Sequence, residues 1–267
     1  MNKQDTGKKR VNTKDQYYTK DSIAKDCIQS IKDIIKDNTI YQWIEPSAGN
    51  GSFLIKKCIA LDIDPKHKNI LKQDFLEYNP SIEKPILIYG NPPFGKQSSV
   101  AKKYIKHASS FASVIAFILP RSFVKPSMSK AFPKNFHCLY TKELEKDSFE
   151  VNGEPYDVPC IFQIWQKKDE ERVDESIEGP VGFTYVKQTD SYDISVRRVG
   201  VNAGTTLLKG KKVSYQSHYF IKLNDVNKKD KIVIDMNAHT FPSNTVGPRS
   251  LSKGEINVVL NELLLKE

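Results

Sequence analysis

Apolar residues fall along this chain in two textures. From Asp21 they recur at helical spacing, as Ile23, Ala24, Cys27, Ile28, Ile31, Ile34 and Ile35. That spacing predicts an amphipathic helix with Asp21 or Ser22 as its N-cap. Short apolar segments follow at 41–44, 58–62, 70–73, 85–89, 114–119, 137–143 and 159–166 and read as strands, with a helical stretch at 98–111. Residues 86–88 and 114–119 run apolar without alternation, as strands of a parallel sheet do when both faces are covered. Strand after strand with helix or turn between predicts an α/β sheet. The connections after the first and second strands are short, so any helices there have one or two turns.

The texture changes beyond residue 167. Residues 167–180 hold three basic and six acidic side chains and read as a solvated linker. Residues 183–235 alternate apolar and polar and are rich in Thr, Val, Tyr and Ser, which predicts antiparallel strands. A terminal helix is expected from Ser252, with Ser252 and Glu255 as a capping box and Ile256, Val259, Leu260, Leu263 and Leu264 as one apolar stripe. Residues 1–15 are polar and lysine-rich and read as a basic arm. The expected organisation is therefore an arm at 1–15, an α/β domain at 16–172 and a strand-rich region with a C-terminal helix at 180–267. There is no internal repeat.

Composition narrows the function classes. The chain has 267 residues, 39% of them hydrophobic, and 41 Lys+Arg against 32 Asp+Glu give it a net charge of +9. That surplus suits a polyanionic partner, either nucleic acid or an anionic membrane surface. No apolar run approaches the ~18–20 residues that span a bilayer, and no apolar segment follows the basic N-terminus as in a secretory signal. Cys27, Cys58, Cys138 and Cys160 are widely spaced, as are the five histidines. Reduced thiols, a cytoplasmic location and no metal site are expected. The charge is uneven: residues 1–36 carry nine basic and five acidic side chains, and residues 187–231 carry ten and four.

Four motifs carry candidate chemistry. Glu45-Pro46-Ser47-Ala48-Gly49-Asn50-Gly51-Ser52-Phe53 ends a strand in an acid and a glycine turn, where the backbone can approach a ligand closely. It is neither a three-glycine dinucleotide fingerprint nor a P-loop. Asp62-Ile63 ends the next strand, and its carboxylate can accept from both hydroxyls of a ribose. Asp74 follows a third strand and can accept from an adenine amino group, with Phe75 against the ring. The fourth, Asn91-Pro92-Pro93-Phe94, follows the buried strand 85–89. Two prolines stiffen the loop and remove two donors. The Asn91 amide oxygen and the Pro92 carbonyl can then accept both protons of an exocyclic NH₂, while Phe94 offers a face for a flipped base.

In this order the motifs resemble the S-adenosylmethionine-dependent amino-methyltransferases that modify adenine N6 or cytosine N4, over residues 15–166. The resemblance implies an α/β class I, Rossmann-like methyltransferase sheet of seven mostly parallel strands, with a small strand-rich C-terminal region added. It implies S-adenosyl-L-methionine as cofactor, catalytic roles for Asn91, Pro92, Pro93 and Phe94, and a methionine-holding role for Tyr18 and Thr19 within Asp15-Gln16-Tyr17-Tyr18-Thr19. Glu45, Pro46, Ala48, Gly49, Gly51 and Phe53 correspond to the glycine turn. Asp62 with Ile63 corresponds to the ribose site, and Asp74 with Phe75 to the adenine pocket. Phe162, within Pro159-Cys160-Ile161-Phe162-Gln163-Ile164-Trp165, corresponds to a late strand that supplies a second aromatic to the target base. The segments from Gly51 to Asp62 and from Asp62 to Asp74 are shorter than is usual in this family.

The resemblance implies methylation of adenine N6, with DNA favoured. RNA adenine and DNA cytosine N4 stand as alternatives, and a binding-only methyltransferase-like subunit as the non-enzymatic one. Phosphate contacts are expected from the arm, from the loop 121–134 (Arg121, Lys125, Lys130, Lys134) and from Arg197, Arg198, Lys209, Lys211 and Lys212. The Asn-Pro-Pro-Phe loop turns the basic surplus toward nucleic acid and away from a membrane. A DNA substrate would place the protein at a nucleoid or nucleus.

Overall fold

The computed structural model describes residues 17–151, 153–173, 179–242 and 249–265. The arm 1–15, with Asp15 and Gln16, lies outside the described residues. The chain divides into two units, Met1–Asp174 and Glu175–Glu267. No helix among the described residues is long and apolar enough to cross a membrane.

In the first unit β1 (Tyr18–Thr19) and α1 (Asp21–Ile34) precede β2 (Gln42–Glu45), β3 (Ile59–Asp62), β4 (Leu71–Lys72) and β5 (Ile86–Gly90). Then come α2 (Ser99–Ala108), β6 (Val114–Pro120), α3 (Pro126–Ser129), β7 (Phe136–Glu143), β8 (Phe149–Val151), β9 (Glu154–Tyr156) and β10 (Cys160–Lys167). Seven strands form one sheet in the order β4-β3-β2-β5-β6-β10-β7. β2 to β6 pair in parallel, and β10 lies antiparallel between β6 and β7. This mixed sheet, with its one inverted strand next to the far edge, is the class I Rossmann-like methyltransferase architecture.

Alternation along the strands sorts the core into two layers. Leu87, Tyr89, Val114, Ala116 and Ile118 pack on one face with the α1 stripe Ala24, Cys27, Ile28 and Ile31. Ile86, Ile88, Ile115, Phe117 and Leu119 pack on the other with Ala101, Tyr104, Ile105 and Ala108 of α2. Two covered faces explain why these strands read as unbroken apolar runs. α1 starts at Asp21 with Lys20 as N-cap and no side-chain cap bond, so Asp21 serves as a first-turn acid and not as the predicted cap. No α-helix follows β2 or β3: residues 46–58 and 63–70 are turns. The expected one- or two-turn helices are absent there. The loops at the carboxyl ends of these strands are compact, and they line the cavity described below.

β1 is not part of the large sheet. It pairs with β8, with Tyr18 opposite Glu150 and Thr19 opposite Phe149, and β8 pairs with β9.

The second unit is a four-stranded antiparallel sheet in the order β11-β14-β12-β13, from β11 (Phe183–Val186), β12 (Ile194–Arg197), β13 (Thr206–Leu208) and β14 (His218–Leu223). Its helices are α4 (Lys229–Ala238) and α5 (Lys253–Leu265). α4 corrects the reading of 183–235 as strands throughout. Only Ile232 and Met236 of α4 are buried, too narrow a stripe to mark a helix by periodicity. The capping box of α5 forms as expected: Ser252 N and Oγ donate to Glu255 Oε2, both at 2.8 Å, and Glu255 N donates to Ser252 Oγ at 3.2 Å. Ile256, Val259 and Leu260 are buried against Phe183, Ile194, Val196, Ile221 and Leu223 of the sheet.

Candidate functional site: a cavity at the carboxyl ends of the parallel strands

A cavity of about 410 Å³ opens where β2, β3 and β5 end, the position at which open α/β sheets hold ligands. Glu45, Pro46, Ala48, Gly49 and Phe53 come to its wall from the turn after β2, and Asp62 and Ile63 from the end of β3. Asn91, Pro92, Pro93 and Phe94 line it from β5, and Tyr18 and Thr19 from β1. Residues as far apart in the chain as Glu45 and Phe94 thus meet because parallel strands present their loops on one side.

The glycine turn is built for close approach. Gly49 has φ +50°, and a Cβ there would come within 3.1 Å of the Tyr18 ring. The backbone N–H of Gly49 donates to Asp62 Oδ2 at 2.7 Å, and that of Asp64 donates to Oδ1 at 2.7 Å. Asp62 thereby braces the turn. Each oxygen keeps a further lone pair, because a carboxylate has about four acceptor sites. Beside it Ile63 is 64% exposed, an apolar surface on a cavity wall. Gly51 is not on the wall; a Cβ there would lie 2.7 Å from Leu54, so its role is local packing.

The orientation of Asn91 is fixed by β1. Its Nδ2 donates to Thr19 Oγ1 at 3.1 Å and to the Tyr17 carbonyl at 3.3 Å. A carbonyl only accepts, so the amide nitrogen must face β1. The other end of the amide, Oδ1, is buried and has no hydrogen-bond partner among the described residues. Ser47 Oγ holds the Asn91 carbonyl at 3.0 Å. Phe94, half-buried, packs against both core layers and follows the two prolines.

Glu45 carries the other such atom on the cavity wall. It is 1% exposed, and its Oε2 has no partner among the described residues. Burial raises its pKa well above the ordinary carboxylate range, and the negative charge of Asp62 raises it further. Gly90, at φ +131°, leaves room for it: a Cβ on Gly90 would lie 3.2 Å from Glu45 Cγ.

Several expected residues lie elsewhere. Phe162 is 1% exposed among Cys160, Ile164 and the α1 stripe, so it cannot stack on a base. Phe75 is fully buried against Tyr104, His107 and Phe111. Asp74 is off the cavity wall, and its Oδ1 caps a turn by accepting from Leu76 N at 2.8 Å. Arg121 pairs with Glu143 at 2.7 Å on the surface. Arg197 donates to the Val199 carbonyl, while Arg198 donates to the Gln216 carbonyl and lies over the Tyr219 ring. Lys211 and Lys212 are exposed on the loop before β14. Conversely, Tyr17, Ser47 and Tyr104 stand on the cavity wall without having been singled out. Tyr17 sits next to the marked Tyr18, whereas Tyr104 reads in sequence as one more apolar position of α2.

No family model and no curated protein matches the chain. Solved structures do match. A candidate RNA methyltransferase from Pyrococcus horikoshii is 15% identical with a TM-score of 0.44, covering 61% of this chain and 93% of its own. The 23S rRNA methyltransferase ErmE is 14% identical with a TM-score of 0.43, covering 60% and 73%. Thermoplasma acidophilum protein 1320 is 16% identical with a TM-score of 0.41, covering 57% and 88%.

Proposed function

We propose that the chain is an S-adenosylmethionine-dependent methyltransferase acting on the N6 amino group of adenine in nucleic acid. The observation that carries this reading is the half-satisfied amide of Asn91: its nitrogen is committed to β1 and its buried oxygen accepts nothing among the described residues. A buried acceptor left open is costly unless a ligand completes it. An exocyclic amino group is such a ligand, and the stiff Pro92-Pro93 loop presents the Pro92 carbonyl as a second acceptor.

The cavity suits the cofactor. Asp62 has lone pairs for ribose hydroxyls, Ile63 offers an apolar face to an adenine ring, and the carboxylic side chain of Glu45 can balance a cationic ligand. S-adenosylmethionine, when bound, supplies a methyl group made electrophilic by a sulfonium. The chain's own residues do the rest. Asn91 Oδ1 and the Pro92 carbonyl draw on the two amino protons, free the nitrogen lone pair from the base ring and stabilise the positive charge that develops there. Phe94 would hold the base by stacking and so orient its amino nitrogen toward the cavity. The methylated nitrogen loses its extra proton to water, so no tuned general base is needed. Exposed Lys211 and Lys212 offer contacts to phosphates, which position a polymer without reading its sequence.

The test is incubation with methyl-labelled S-adenosylmethionine and separate pools of duplex DNA, single-stranded DNA and RNA, followed by nucleoside mass analysis. N6-methyladenine in one pool is the expected result, and that pool names the polymer. N4-methylcytosine would move the target to cytosine. No labelled nucleoside in any pool, with cofactor bound, would leave a binding-only subunit.

A further inference from the structure

One ionisable group of the cavity wall is buried without a partner for one of its oxygens and takes no part in the transfer step. Glu45 is on the cavity wall and 1% exposed, and its Oε2 has no hydrogen-bond partner among the described residues. Among the described residues, the titratable groups around it give it no cation. Asp62 reaches it from β3 with a like charge, and Tyr89 from β5 is a neutral phenol that donates to the Phe53 carbonyl. Across the cavity stand Tyr18 from β1 and Asp64, which is paired with Lys66 at 2.8 Å. An ionised carboxylate in such a place would be buried, unpaired and repelled by Asp62, so it keeps its proton instead.

We infer that Glu45 stands as a neutral carboxylic acid in the free protein and gives its proton to solvent when a cationic centre of the cofactor arrives, so that cofactor uptake releases one proton. This rests on the cofactor reading above. The charges balance: a neutral acid and a ligand of net charge one become an ion pair and a free proton. The arriving cation supplies what Glu45 lacks, an opposite charge in a water-poor site, where it acts strongly. Affinity for the cofactor therefore rises with pH, by up to about tenfold per unit, until the pH passes the pKa of Glu45 in the free protein.

The experiment is calorimetric titration of the full chain with S-adenosylmethionine, run at about pH 6, above the ordinary glutamate pKa of about 4.3, in two buffers of different ionisation enthalpy. The difference in heat counts the protons. Release near one per cofactor is expected for the natural chain, and none for Glu45→Gln, whose weaker binding is independent of pH. Glu45→Asp, which keeps an acid there, is expected to retain release. S-adenosylhomocysteine, which has the ammonium but no sulfonium charge, separates the two cationic centres: release with both ligands assigns the ammonium, release with the charged cofactor alone assigns the sulfonium. Binding of S-adenosylmethionine without proton release, or equal release from Glu45→Gln, overturns the inference and leaves the cofactor reading intact. Absence of binding at any pH overturns both.

Discussion

The two units use asparagine in opposite ways. In the second unit, Asn261 accepts from Val181 N at 2.9 Å and donates to the Gly179 carbonyl at 2.9 Å. Asn237 does the same for a single residue, accepting from Thr206 N and donating to the Thr206 carbonyl, both at 2.9 Å. Both ends of each amide are used, and each clamps an extended segment to a helix. In the first unit, Asn91 has only its donor end engaged, and it stands on a cavity wall. A complete amide stabilises the chain; an incomplete one keeps an acceptor that a ligand can fill. Residue type is alike, and the difference lies in which lone pairs are filled.

The largest effect expected is on Asn91. Asn91→Ala removes the acceptor for the amino proton and should lower methyl transfer by about a hundred- to a thousandfold, as loss of a single preorganised polar group does. Calorimetry with S-adenosylmethionine should show the cofactor still binding. Retained transfer would mean that Asn91 is a clamp like Asn261, and the contrast between the units would collapse.

Next is Asp62. Asp62→Ala takes away the bonds to Gly49 N and Asp64 N together with the free lone pairs offered to a ribose. A weakening of cofactor affinity by about 10–100-fold is expected, in keeping with hydrogen bonds to a charged group. Asn261→Ala is the counterpart in the second unit. It should cost about 1–2 kcal/mol of stability, as loss of two buried hydrogen bonds does, while the cofactor dissociation constant stays unchanged. Chemical denaturation gives the first quantity and titration the second. A change in cofactor affinity at Asn261 would contradict its assignment as a clamp.

What the sequence made legible follows from how each element gets its stability. α1 and α5 have full apolar stripes, and β5 and β6 are buried on both faces, so local pattern and final structure agree. β1 has two residues and exists only through its pairing with β8, from which no periodicity can arise. It nevertheless orients Asn91, so the most informative contact of the site was illegible. Asn91, Pro92 and Asp62 share one cavity wall because strand ends in a parallel sheet converge on one side, a placement that strand order alone predicts. Phe75 and Phe162 misled because an aromatic beside a motif looks the same in sequence whether it faces a ligand or the core. Their neighbours decided it: Phe162 stands in a run from Cys160 to Trp165 that is buried throughout, without the alternation an open face would give.

The smallest effect sharpens the contrast from Glu45, the other residue of the cavity wall with an open oxygen. Burial and Asp62 raise its pKa in the folded chain. A group raised in this way contributes stability that is fully present below its unfolded pKa, about 4.3, and is lost as pH rises through the folded value. Glu45→Gln is neutral at every pH, so it should melt like the natural chain under acidic conditions and above it under alkaline ones. Since about 1 kcal/mol moves the melting temperature of a domain of 150–250 residues by about 2–4 °C, a gap of a few degrees that opens with rising pH is the expected signature. Saturating S-adenosylmethionine should reverse the gap at alkaline pH, because the cation then rewards an ionised Glu45 and does nothing for the amide. Parallel melting curves across the whole range would show that Glu45 is ionised and paired in the free protein, and its open oxygen would then join the filled amides of the second unit as a structural contact.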